Sequence, residues 1–128
     1  MERSLLVLVV GCGGFIGAAL RYLISLWATK GIGAGFPFGT LIVNILGAIL
    51  IGFFMETSSR TNFISPTART FLTTGMMGGL TTFSTFSFET MTIFSHGSIG
   101  LGSLNIGLNL VLSLVGVVIG QFIAKILF

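Results

Sequence analysis

Four long apolar stretches, joined by short polar segments, take up nearly all of this 128-residue chain. A helix needs about 20 apolar residues to cross a bilayer, and the stretches at about residues 5–27, 40–55, 67–94 and 103–127 meet or approach that length. The expected fold is therefore an all-α integral membrane protein, a single membrane domain over residues 1–128 with four transmembrane helices. With 53% hydrophobic and only 7% charged residues, the chain falls far below the roughly one quarter of charged residues in ordinary soluble domains. The first stretch is too long for a signal peptide, runs into Arg21 and Tyr22, has no clear cleavage site and is followed by further spans, so it is read as retained.

Gly and Pro mark the connections. "KGIGAGFPFG" reads as the turn between the first two spans, "ETSSRTNFISP" as a polar loop, and "SHGSIGLG" as the last loop. Pro66 suits the first turn of the third helix. That helix is expected to be broken, because "GMMGGLTTFSTFS" places glycines and a dense run of hydroxyls in its middle. Irregular backbone at membrane depth is tolerated only where it is buried in protein or lines an aqueous cavity.

The six basic and three acidic residues are scattered. They form no nucleic-acid footprint, which requires clustered charge. With an even number of spans, Arg3, Arg60, Arg69 and Lys125 fall on the side of the termini, and Lys30 and Arg21 toward the other. This bias is weak, so insertion in both orientations and an antiparallel dimer are open. Cys12 is the only cysteine and reads as a small packing residue. Gly13 and Gly17, and Gly116 and Gly120, are spaced by four and let helix backbones approach closely in lipid.

Polar residues at depth are the candidates for function. Asn105, Asn109 and Ser113 recur every fourth residue, on one face of the last helix, and Asn44 lies on the second. Interhelical glue and a polar track are both open to them, and a stripe of this length favours the track. Amides and hydroxyls both donate and accept hydrogen bonds. Phe83 and Phe86, with Ser84 and Thr85 between them, project to one side of a helix, and ring edges together with donors suit an anion. Arg21 is expected near the end of the first span, as an anchor or as an attractor of anions at a pore mouth. Glu89 is the one acid near membrane depth, with a structural or a functional role. Carbonyls freed by the break could hold a cation.

"GGFIGAALRY", "FPFGTLIVNILGAILIG" and "GMMGGLTTFSTFSFE", followed by the spaced polar face of the fourth span, resemble the Fluc family of bacterial fluoride channels, also called CrcB. The resemblance runs over essentially the whole chain. It implies a multi-pass protein of the bacterial plasma (inner) membrane that forms an antiparallel dual-topology homodimer within membrane lipid. Two fluoride pores built from both subunits are implied, with a structural Na+ held centrally. By the same resemblance Asn44, Phe83 and Phe86 match pore residues, and Arg21 matches the basic residue of the first-span motif. Gly78 and Thr81 match positions whose backbone carbonyls surround sodium. Thr82, Ser84 and Thr85 match motif hydroxyls, and Asn109 and Ser113 the polar track. Asn105 stands where relatives can carry tyrosine, and Glu89 is the motif's acid.

The implied function is a passive fluoride-selective channel that exports cytoplasmic fluoride. A proton-coupled exporter of the four-span dimeric type is the alternative, and it would need Glu89 at its centre. A non-conducting scaffold is a third reading, under which the polar stripe is needless. No constellation of nucleophile, base and acid supports an enzyme.

Overall fold

The computed structural model describes residues 2–128, whose regular elements are all helices, with no strand among them. Helix α1 spans Arg3–Gly31 and α2 spans Phe38–Arg60. The third apolar region is divided into α3 (Pro66–Thr70), a π-helical segment (Phe71–Met77), α4 (Gly78–Leu80) and α5 (Phe83–Ser95). Helix α6 spans Ile99–Leu127. Of these, α1, α2 and α6 are long and apolar enough to cross a membrane.

Local chemistry sets the element ends. Gly33, with φ of +121°, turns the chain after α1, and Gly97, with φ of +84°, turns it between α5 and α6. Ser65 accepts from the Ala68 amide at 3.1 Å and Pro66 occupies the first turn of α3, as its position in the sequence predicts. Three helices run past the expected spans. Helix α2 takes up Glu56–Arg60, which was expected to be loop, because Glu56 and Arg60 lie one turn apart and pair at 3.5 Å. Helix α6 begins at Ile99 and takes in part of the predicted last loop, and α1 continues to Gly31. Apolar composition delimits the lipid-compatible part of a helix, whereas backbone hydrogen bonding carries it further.

Glycine seams hold the bundle together. Helix α2 packs most extensively on α6, and α1 on the π-helical segment and α4. A Cβ on Gly120 would collide with the Ile49 carbonyl, and one on Gly13 would sit 2.6 Å from the Phe71 carbonyl. Both spacings of four noted in the sequence thus mark backbone-to-backbone contacts. The buried apolar centre is small, formed by Val43, Met77 and Leu80. Large apolar side chains such as Phe15, Trp27, Val118 and Ile126 face outward, as expected where lipid or another subunit is the neighbour.

Candidate functional site

The break falls at Thr81 and Thr82, whose backbones are extended. Two hydroxyls hold it open. Thr81 Oγ1 donates to the Met77 carbonyl at 2.8 Å, and Thr82 Oγ1 caps α5 by accepting from the Thr85 amide at 3.2 Å. Asn44 then serves both backbone groups of Thr82. Its Oδ1 accepts from the Thr82 N–H at 2.8 Å, and its Nδ2 donates to the Thr82 carbonyl at 3.2 Å. In a continuous helix the Thr82 N–H would bond Gly78. Its diversion to Asn44 leaves the Gly78 carbonyl without that partner, and the Thr81 carbonyl likewise takes no hydrogen bond among the described residues. Arg21 Nε donates to the Gly79 carbonyl at 2.9 Å. Arg21, expected near the end of the first span, lies well inside α1, which runs on to Gly31, and it satisfies a carbonyl that the break orphans.

From Asn44 a chain of hydrogen bonds crosses to α6 and then to α5. Asn44 Nδ2 donates to Asn109 Oδ1 at 2.9 Å. Asn109 Nδ2 donates to the Asn105 carbonyl at 2.9 Å and to Asn105 Oδ1 at 3.0 Å. Asn105 Nδ2 donates to Thr90 Oγ1 at 2.9 Å, and Thr90 Oγ1 to the Phe86 carbonyl at 2.7 Å. Asn105 is fully buried, at 0% exposure, with Asn109 and Thr90 nearly so. The stripe is real, and in this arrangement its amide hydrogens are largely spent within the chain.

A groove of about 460 Å³ opens against this network. It brings together residues singled out in the sequence, among them Asn44, Gly78, Thr81, Phe83, Phe86, Asn109 and Ser113. Thr82 and Met77 also line it. The Phe83 and Phe86 rings lie 5.3 Å apart with planes inclined by 56°. Phe86 is buried at 7% exposure while Phe83 is 72% exposed, so one ring is fixed by the fold and the other projects from it. The Ser113 hydroxyl and the aromatic ring edges in an otherwise apolar groove can stabilise a small anion.

The other candidates lie elsewhere. Asn105 sits behind Asn109, outside the groove lining. Ser84 and Thr85 belong to the first turn of α5, where Thr82 Oγ1 meets Ser84 Oγ at 3.3 Å and Thr85 Oγ1 at 3.1 Å. Glu89 lines a separate cavity of about 290 Å³ with Thr40 and the α1–α2 connection, and its Oε1 is buried without a hydrogen-bond partner. The sequence reading missed Thr90 and Thr40. Thr90 had a usable signal: the α5–α6 connection is short, so Thr90 and Asn105, equidistant from the Gly97–Ser98 turn, must face each other.

Residues 8–121 match the family model described as CrcB-like protein, Camphor Resistance (CrcB). Two relatives, each named Fluoride-specific ion channel FluC, are similar over the full length of both chains: one from Clostridium novyi (strain NT) at 59% identity and one from Clostridium perfringens (strain ATCC 13124) at 61%. A third of that name, from Ruminiclostridium cellulolyticum, is 46% identical over 98% of this chain and 96% of its own. Full-length similarity at this level, joined to a helix break and polar groove built from the motif residues, identifies the chain as a member of the CrcB family.

Proposed function

We propose that this chain is a passive, fluoride-selective ion channel that lets cytoplasmic fluoride leave a bacterial cell across its plasma (inner) membrane. The observation that carries the reading is the groove in which Asn44, Asn109, Ser113 and two phenylalanine rings converge, in a chain whose full-length relatives bear the name of fluoride-specific channels. The two pieces of the third apolar region serve as the fourth crossing. Fluoride is small and strongly hydrated, so a narrow path must replace its water with donors. Hydroxyls and ring edges, with amides that exchange a bond within the chain for one to the ion, do this without a fixed positive charge that would trap it. Conduction needs binding strong enough for access and weak enough for release.

The groove is open on one side and exposed Phe83 projects from it. A second subunit in antiparallel orientation would close it, giving two pores per dimer. Sodium fits the break: the Gly78 and Thr81 carbonyls are hard oxygen donors with no competing hydrogen bond, and nothing lies within 4 Å of a Cβ placed on Gly78. Bound there, Na+ would join the two subunits and add positive potential near the pores. Glu89, the acid that a proton-coupled exporter would require, lines a different cavity, which favours the channel.

The test is fluoride efflux from liposomes holding the purified protein, with valinomycin supplying the counter-current. Rapid fluoride efflux, little chloride efflux and indifference to a protonophore are expected, with loss of flux when N-methylglucamine replaces Na+. Strict dependence on a proton gradient would move the assignment to the exporter, and no flux to the scaffold. For topology, a Cys12→Ala, Ser98→Cys double variant in sealed vesicles is expected to react with an impermeant thiol reagent at about half of its sites from each face. Labelling confined to one face would rule out dual orientation.

A further inference from the structure

Thr90 lies outside the groove lining, outside the motifs that carry the family resemblance and outside every candidate set read from the sequence. It is nonetheless 4% exposed and ends the hydrogen-bond chain that starts at the helix break. Its place in that chain follows from the donors and acceptors available. The Thr82 N–H can only donate, so Asn44 must turn Oδ1 toward it and Nδ2 toward Asn109. Asn109 must then offer Oδ1 to Asn44, which leaves its Nδ2 facing Asn105. Asn105 can receive it on the side chain only if its own Oδ1 points that way, and its Nδ2 then points at α5. Thr90 Oγ1 is the acceptor that Nδ2 finds, because the Thr90 hydrogen is already given to the Phe86 carbonyl and its lone pairs are turned outward.

If that acceptor were lost, Asn105 would keep a buried amide without a partner. Turning the carboxamide over would not relieve it, because Nδ2 would then oppose Nδ2 of Asn109, donor against donor. With the carboxamide turned over, Asn109 would keep its bonds to Asn44 and to the Asn105 backbone carbonyl but lose the side-chain acceptor that fixes its Nδ2 in the groove.

We propose that Thr90 is a positioning residue: through Asn105 it sets the orientation of the Asn109 amide that faces the groove, and thereby the rate at which the groove passes fluoride. The proposal rests on the channel reading above and deepens it.

Fluoride efflux from liposomes carrying Thr90→Val is the test, with Thr90→Ser as the variant that keeps the acceptor. Efflux is expected to fall about tenfold in Thr90→Val, the change that corresponds to about 1.4 kcal/mol, and to stay within twofold of the parent in Thr90→Ser. A purely structural role would give losses that multiply with those of other variants. Action through Asn109 instead predicts that Thr90→Val combined with Asn109→Ala is no slower than Asn109→Ala alone. Side-chain 15N resonances of Asn109 in detergent micelles should also shift in Thr90→Val, and they report whether the variant is folded. If Thr90→Val does not fold, Thr90→Cys, whose sulfur is a weak acceptor, is judged by the same criteria. Parental efflux in the folded variant, multiplying losses or an unmoved Asn109 amide would overturn the proposal. Absence of fluoride flux in the unmodified protein would instead overturn the channel reading itself.

Discussion

Asn44→Ala is expected to lower fluoride efflux on the order of a hundredfold, the scale at which misplacing a reacting or binding group by about 1 Å is felt. Asn44 makes three hydrogen bonds: two to the Thr82 backbone and one to Asn109. Interhelical hydrogen bonds in membranes average about 0.6 kcal/mol, so their loss alone would cost roughly 2 kcal/mol. The larger effect is geometric. A Thr82 N–H left without a partner would cost about 1–3 kcal/mol, and the nearest remedy is the Gly78 carbonyl, one helical turn back. Taking it would partly anneal the break, withdraw a carbonyl proposed for sodium and turn Thr82, which lines the groove, away from it. Efflux within threefold of the parent in a folded Asn44→Ala protein would show that the break does not depend on this side chain.

The second large effect belongs to the rings. Phe86→Ile and Phe83→Ile are each expected to cut fluoride flux by about tenfold. An aromatic contact contributes about 0.5–1.5 kcal/mol beyond its area, which converts to as much as about tenfold. The reason is electrostatic: isoleucine fills similar space without the positive ring edge. Phe86 is buried, so its substitution should also lower the thermal unfolding midpoint, whereas exposed Phe83 should affect flux with little change in the stability of the isolated chain. Rates measured in liposomes and unfolding midpoints in detergent separate the two. Unchanged flux in both variants would remove the rings from the pathway.

What could be read from the sequence were features that repeat or interrupt a local pattern. The Asn105–Asn109–Ser113 spacing declares a helical face, the four-residue glycine spacings declare close packing, and a hydroxyl run after "GMMGG" declares a break. What could not be read were pairings between residues far apart in the chain. Nothing local to Arg21 says that its partner is a carbonyl on the third apolar region, or that Asn44 would reach the backbone of Thr82. The stripe also turned out to differ in chemistry from its appearance in sequence. A row of amides on one face reads as a row of free donors, but Asn105, Asn109 and Asn44 engage one another and Thr90, so their polarity is set by the chain's two ends. Glu89 follows the motif closely in sequence yet opens on a different cavity, because it lies about one turn further along α5 than Phe86, beside the α1–α2 connection.

The most direct test of passive fluoride selectivity is electrical. The protein is placed in a planar bilayer with a tenfold fluoride gradient, balanced chloride and equal pH on both sides. A current reversing near the fluoride equilibrium potential, about 59 mV for a monovalent ion at a tenfold gradient, is the predicted result, and it should stay there when a pH difference is imposed. A reversal potential that follows the proton or chloride gradient, or the absence of current, would contradict it.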